Sequence, residues 1–231
     1  VNTKFPERSF PVFSPVAEHS VLVEFGDRID RDIHAQVLRL NRALAAAPFD
    51  GFLEAIPAYA SILIRFDPLL CDHAMAVGKA RQLLDHDLPA VSKPNLHEVL
   101  VCYDDALAPD LAAVAKSIGL SCEAVIKAHL AAQYDVFMYG FAPGYAYLAG
   151  VPQRLQLPRK PAAMRDVAAG SVLIAGPQCL VSTLTMPTGW WNIGRSSTRI
   201  LTDDAHKPFL FDVGDRVRFR RISRAEYEAG K

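Results

Sequence analysis

Four polar side chains in the second half of the chain have the chemistry to bind or activate a small polar substrate: His129, Arg159, Gln178 and Arg195. An imidazole has an unperturbed pKa near ~6.5, so His129 is a candidate general base or hydrogen-bond donor. The alternative is a histidine packed on the inner face of a helix. Arg159 and Arg195 each stand beside a turn or a glycine and are the best anion binders, although an ordinary surface arginine fits either one. Gln178 can orient a substrate amide or serve as a buried, hydrogen-bonded group. The stretch from Tyr139 to Gly150 carries glycines, a proline and four aromatics. Pro143 presets φ and Gly144 takes the positive φ of a tight turn. Gly140, Phe141, Pro143, Gly144, Tyr145 and Tyr147 are therefore candidate substrate-binding residues, joined by Gly189 and Trp190 from a later glycine-rich run. Aromatics beside glycines also serve as core and turn packing, and Phe141 reads as core.

Other chemistries are poorly served. The Pro143–Gly144 turn lacks the spacing of a nucleotide phosphate loop. Ser171 follows Gly170 without a nucleophile-elbow context, and Cys179 reads as a small core residue. Cys71, Cys102, Cys122 and Cys179 are scattered, and the seven histidines show no ligand spacing, so no metal is expected. Lys and Arg total 25 against 25 Asp and Glu, which argues against a dedicated nucleic-acid or membrane surface. The arginines at 216, 218, 220, 221 and 224 suit a solvated strand face, or a surface for an acidic partner. Val1 to Pro15 holds no continuous apolar run of signal-peptide type, and no run reaches the ~20 residues of a membrane span. A reduced, cytoplasmic setting is the expectation.

The elements that must position these residues fall into two groups. Residues 10–25 read as a strand, best at Ser20 to Phe25. Asp27 and Asp30 mark a helix start, and Ile33, Val37, Leu40 and Leu44 form its apolar face. Two strands follow, at Phe52 to Ile56 and Ser61 to Phe66. Asp72 caps a second helix with Val77, Ala80, Leu84 and Leu88 inside. With a last strand at Glu98 to Tyr103, this order predicts a ferredoxin-like α+β domain over residues 1–92. Pro89 to Pro94 reads as a linker, and a second domain spans 97–231. It opens with two short helices, one begun by Pro109 and Asp110, the other capped by Ser121 and carrying His129. Short strands follow at Val136 to Tyr139, Ser171 to Ala175, Ile200 to Leu201, Phe209 to Val213 and Arg216 to Arg220, with a hairpin-like turn at Val213 to Asp215. Their number and turn signals predict a barrel or sandwich.

Several segments fall in the order and spacing of one family. They are Gly140 to Leu148, Pro158-Arg159, Ala169 to Gly176, Gly189-Trp190, Ile193 to Arg195 and Gly214 to Phe219, with Asp110, Gly119 and His129 upstream. The chain resembles the family of the 5-oxoprolinase B-type subunit, also called the first subunit of allophanate hydrolase or carboxyltransferase subdomain C/D. That family includes a sporulation-kinase inhibitor. The resemblance implies a cyclophilin-like β-barrel and a small N-terminal α/β domain. It implies a carboxyltransferase-like C-type subunit as partner, and an ATP-dependent hydrolase complex that opens a small lactam, amide or ureido substrate. The isolated chain would then be inactive. The inhibitor branch implies the other reading, a non-catalytic protein that blocks a sensor histidine kinase.

The chain departs from the family pattern in three places. A second Pro-Arg is replaced by Ala163-Met164, the segment after Gln178 reads Cys179 to Thr183 with Ser182-Thr183 at its end, and Thr188 stands for a glycine before Gly189. An arginine reads carboxylate or phosphate bidentately and a methionine cannot. A different substrate, use of Arg165 one step away, or lost turnover would each follow.

Overall fold

The computed structural model describes residues 9–86 and 93–230. The chain divides into two compact units, Val1–Lys93 and Pro94–Lys231. Most of the expected linker at Pro89 to Pro94, together with Leu88 and the first eight residues, lies outside the described residues.

The first unit is a four-stranded antiparallel sheet with two helices. Strands β1 (Val12–Val16) and β2 (Ser20–Glu24) form a hairpin in place of the single expected strand, with Ala17 at φ 50° in the turn. Helix α1 (Arg31–Ala46) starts at Asp30, whose carboxylate accepts from the Asp32 and Ile33 amides. That contact satisfies two otherwise orphaned donors. Its face of Val37, Leu40 and Leu44 is fully buried. Strands β3 (Phe52–Pro57) and β4 (Ser61–Phe66) follow, then α2 (His73–Asp85), capped by Asp72 through the Met75 amide. The sheet order is β1-β2-β4-β3. The strand expected to close this sheet at Glu98 to Tyr103 does not join it. Strand β1 occupies the edge beside β2 instead.

That later strand, β5 (Leu96–Cys102), belongs to the second unit. There α3 (Leu111–Ser117) and α4 (Cys122–Ala131) precede β6 (Tyr134–Tyr139) and β7 (Ala146–Ala149). Gly119, at φ 67°, ends the first of these helices, and Ser121 caps the second through the Ala124 amide. The remaining strands are β8 (Met164–Val167), β9 (Ser171–Ala175), β10 (Gln178–Val181), β11 (Met186–Thr188), β12 (Trp191–Ser196) and β13 (Arg216–Arg221), before a final helix α5 (Arg224–Ala229). Seven strands close a barrel in the order β10-β7-β6-β13-β5-β12-β9, and β8 and β11 form a separate ribbon. The protein is thus α+β with a closed barrel.

Two expected strands are absent as such. Ile200 to Leu201 and Phe209 to Val213 meet only in the bridge Leu201–Phe209. Their backbone is taken up by a loop that Thr202 ties to Pro208 and Lys207. Gly214 does turn the chain into β13, but no strand precedes it, so there is no hairpin. Instead the buried Asp215 carboxylate holds the junction, accepting from the Asn95 and Asp212 amides and meeting His97 Nε2 at 2.7 Å. Arg216, Arg218, Arg220 and Arg221 face outward and pair with Asp135, Glu98 and Glu123.

Candidate active site on the outer face of the barrel

Side chains alternate across a strand. On β9, Val172 and Ile174 enter the barrel core, so Leu173 and Ala175 point outward. The same alternation sends Ala146 and Leu148 of β7 and Cys179 and Val181 of β10 inward. Leu180 joins Tyr145, Leu173, Ala175 and Trp190 in a second buried cluster outside the barrel wall, with Tyr147 packed against it. The pairing of Gln178 with Ala149 and Ala175 puts it on that outer side as well.

This face gathers most of the predicted residues. Tyr147 meets the Trp190 ring edge-on at 5.9 Å, and the Arg159 guanidinium lies 5.7 Å from the Trp190 ring centroid. A cation over an indole is a favourable contact of roughly 0.5–1 kcal/mol at an exposed site. Arg159 is exposed, so the guanidinium remains open to an anion or a carbonyl oxygen. Burial raises the Tyr145 phenol to about 12, with Tyr147 adding to the effect. Burial also raises Tyr147, and nearby Arg159 partly offsets it. Both phenols are therefore neutral donors at physiological pH.

The turn before β7 is held firmly. The Thr183 hydroxyl donates to the Pro143 carbonyl at 2.6 Å. Gly144 has φ 72°, and a Cβ there would lie 2.7 Å from Leu201 Cδ2 and 3.0 Å from Thr183 Cγ2. Gly140 donates its amide to the Tyr145 carbonyl across the same loop. Phe141 is not core, as the sequence suggested. It is 73% exposed, at φ 69°, with its ring 5.6 Å from Tyr145. A bulky side chain with positive φ is uncommon and strained, and an exposed one invites a contact from outside.

The segment carrying Arg159 is clamped from two sides. The Lys160 amide donates to Gly189 O at 2.7 Å, and the Trp191 indole donates to Pro158 O at 2.8 Å. Lys160 Nζ donates to Asp110 Oδ2 at 2.5 Å, and the same oxygen accepts from the Asn192 amide at 2.7 Å. Asp110, the expected opening residue of α3, stands at the N-cap but makes no side-chain cap, because its carboxylate is spent on Lys160 and Asn192. Sequence reasoning assigns this role to neither Asp110 nor Lys160. An Asp after a proline reads as a helix start, and nothing local signals a partner fifty residues away.

Two predicted residues lie elsewhere. Arg195 pairs with Ser171 and Cys102 on β12, toward the far end of β9 from Gln178. Its Nε is buried without a hydrogen-bond partner. His129 is fully buried in the barrel core against Phe219 and Tyr134. The Tyr103 hydroxyl lies 2.7 Å from Nδ1, and Cys179 Sγ lies 3.7 Å from Nε2. Both ring nitrogens thus face buried partners, a phenol on one side and a thiol on the other. Burial lowers the His129 pKa to about 3 and pushes the Cys179 thiol up. A general base poised near neutrality and open to solvent does not fit this setting, since the ring is fully buried.

The buried imidazole gives a pH prediction. The folded state binds the His129 proton only near pH 3, whereas the unfolded chain binds it near ~6.5. Between those values the unfolded state holds more protons, so stability falls as pH drops through that window, by a few kcal/mol at most. Urea unfolding of the wild type and a His129→Gln variant from pH 7 to pH 4 checks this. The variant should lose part of the wild-type slope, and identical slopes would refute it.

Among the described residues no group of three His, Cys, Asp or Glu side chains is placed to hold a metal. No helix among them is long and apolar enough to cross a membrane.

A chain made of a small α+β unit and a closed barrel has a known structural counterpart. The K. lactis urea amidolyase contains this fold, with a TM-score of 0.78 over 97% of this chain and 16% of its own, at 17% identity. Residues 11–211 match the family model described as carboxyltransferase domain, subdomain C and D, and the chain belongs to that family. It is 32% identical over 227 residues to the 5-oxoprolinase B-type subunit of Bacillus subtilis strain 168, covering 94% of this chain and 95% of that one. The solved protein TTHA0988 is 34% identical, with a TM-score of 0.78 over 89% of this chain. This chain spans 40% of the length of TTHA0988.

Proposed function

We propose that the chain is one subunit of a carboxyltransferase-type hydrolase complex and that a small lactam, amide or ureido substrate meets it on the face around Trp190. The observation that carries this reading is the convergence of Arg159, Tyr147 and Trp190, with Gln178 on the same side of the wall, in a chain similar to a 5-oxoprolinase subunit along nearly its whole length. The half-buried Tyr147 phenol, packed against the buried Trp190 ring, borders the place beside Arg159 where a planar amide would sit. The Arg159 guanidinium polarises a carbonyl oxygen or holds a carboxylate, and preorganised donors of this kind stabilise charge as it develops. Gln178 reads the amide N–H. Gly140, Pro143, Gly144 and Gly189 shape the rim, and exposed Phe141 reaches outward.

His129 lies fully buried in the barrel core, away from this face. The remaining chemistry is supplied by a partner, a carboxyltransferase-like C-type subunit. ATP belongs to the complex. The turn does not suit its phosphates, because Gly144 is buried against Leu201 and the Gly140, Ala142, Tyr145 and Ala146 amides already donate to carbonyls within the turn. Met164 pairs with Thr188, two residues before Trp190, so the arginine missing there borders the proposed site. Arg165 is exposed on the same strand. A substrate with less anionic character than the family's own fits that change.

Co-expression with the product of a neighbouring reading frame that encodes a carboxyltransferase-like partner tests the reading. A stable complex that opens 5-oxoproline or a related lactam in an ATP-dependent manner is the expected result. No complex together with no turnover would count against it.

A further inference from the structure

A groove of about 380 Å³ lies beyond the Pro143–Gly144 turn and has no part in the site above. Gly170, Ser182 and Thr183 line one side, and the loop from Ser196 to Leu201 lines the other. Thr183 and Leu201 also pack on the turn, so the groove and the turn share a rim.

The hydroxyls of this loop have protons to spare. Ser196 is only 6% exposed, and its Oγ accepts from the Thr198 amide at 3.1 Å. Thr198 Oγ1 accepts from the Leu100 amide at 2.9 Å. Among the described residues, neither hydroxyl proton finds an acceptor, and Ser197 beside them has no hydrogen bond from its side chain. Ser196 is buried, whereas Ser197 and Thr198 are half-buried and line the groove, so their hydroxyl protons can be offered to a ligand there. Ser182 differs, because its hydroxyl both accepts from the Ser171 amide and donates to Ala168 O. The unspent donors are thus confined to three consecutive residues, followed by Arg199, whose guanidinium reaches only the exposed Asp203 at 3.2 Å.

The two walls meet closely at their base. Gly170 has φ 80°, its carbonyl accepts from the Ser196 amide at 2.7 Å, and a Cβ there would lie 2.7 Å from Ser196 O. Ile200 and Leu201 add an apolar surface for a short ligand body.

We propose that this groove binds a small ligand through an oxyanion, a carboxylate or a phosphoryl group, which accepts from Ser196, Ser197 and Thr198 and pairs with Arg199. Hydroxyl and guanidinium donors to a charged acceptor are the stronger class of hydrogen bond, and the cavity has the size of a small-molecule site. The site requires neither a partner subunit nor ATP, so it stands or falls separately from the function proposed above.

The test is a titration of the full chain with sodium phosphate, and separately with sodium acetate, at constant ionic strength and followed by backbone amide shifts. Saturating shifts at Gly170, Ser197, Thr198 and Arg199 are expected in at least one arm, and the arm that saturates identifies the group as phosphoryl or carboxylate. A Ser197→Ala, Arg199→Gln double variant should weaken that binding by about tenfold, the loss of one charge-assisted hydrogen bond. Neither side chain ties one secondary-structure element to another, so folding is preserved. Thr198→Ser keeps the hydroxyl and should bind as the wild type does. Linear, non-saturating shifts in both arms would overturn the proposal, as would saturation that the double variant leaves unchanged.

Discussion

An Asp110→Ala variant is expected to lose about 3 kcal/mol of stability, because it strands the Lys160 ammonium where water reaches it poorly. The Lys160 side chain is only 10% exposed and Asp110 19%, so neither charge is free to hydrate fully. The same carboxylate oxygen accepts from the Asn192 amide, and that donor is orphaned too. Partial relief comes from the Trp191 ring, whose centroid lies 5.6 Å from Lys160 Nζ. Lys160→Met should be milder, near ~1 kcal/mol, since the carboxylate keeps its backbone donor and the long apolar stem is retained. The double variant, Asp110→Ala with Lys160→Met, should recover much of what Asp110→Ala loses, because no buried charge is left alone. Urea denaturation of the four proteins measures this coupling. Additive losses would show that the pair does not act as a unit. The clamp also matters for function, because Lys160 adjoins Arg159 and its amide binds Gly189 O.

Gly150→Ala is the second large effect, with an expected cost of about 3 kcal/mol or more from strain and overlap together. Gly150 has φ 124°, and an added Cβ would lie 2.4 Å from Gln133 O and 3.2 Å from Tyr134 Cα. Both obstacles are backbone at the start of β6, so neither can swing aside. Gly144→Ala meets the far end of the Leu201 side chain, which can rotate, and should cost less. Gly176→Ala, at φ 53° with nothing within 4 Å, should cost only about 1–2 kcal/mol for the left-handed conformation. Thermal melts of the three variants should follow that order. A Gly150→Ala chain as stable as Gly176→Ala would contradict the packing described for β6 and β7.

Helix starts are legible in the sequence because capping is a local event. Asp30, Asp72 and Ser121 each cap the helix they are expected to cap. The apolar face of α1 is legible for the same reason, since periodicity needs no knowledge of the partner. The barrel's strands are harder to read. Every residue of β9 is buried, so the alternation that marks a half-exposed strand is lost there. Strands β7 and β10 have only four residues each, too few for a pattern. Strand β5 is misplaced into the first sheet by local reading because pairing partners distant in sequence leave no local trace. Its neighbours are β12 and β13, about a hundred residues later.

The site shows the same division. The turn at Pro143 and Gly144 and the cluster of Tyr145, Tyr147 and Trp190 can be anticipated from residue type. The burial of His129 cannot, because a histidine on an inner helix face looks the same whether the barrel behind it is open or filled. The exposure of Phe141 is also hidden, since its positive φ turns the ring away from the core that its chemistry suggests. Asp110 and Lys160 escape notice because their pairing spans two loops.

The proposed site places substrate at Arg159 on the outer barrel wall. The most direct measurement is kcat/KM for ATP-dependent lactam opening by the assembled complex, comparing the wild type with Arg159→Gln after equal assembly has been verified by sedimentation. Loss of a charge-assisted contact to the reacting group is expected to lower kcat/KM by about tenfold to a hundredfold. An unchanged kcat/KM in a fully assembled Arg159→Gln complex would contradict the account.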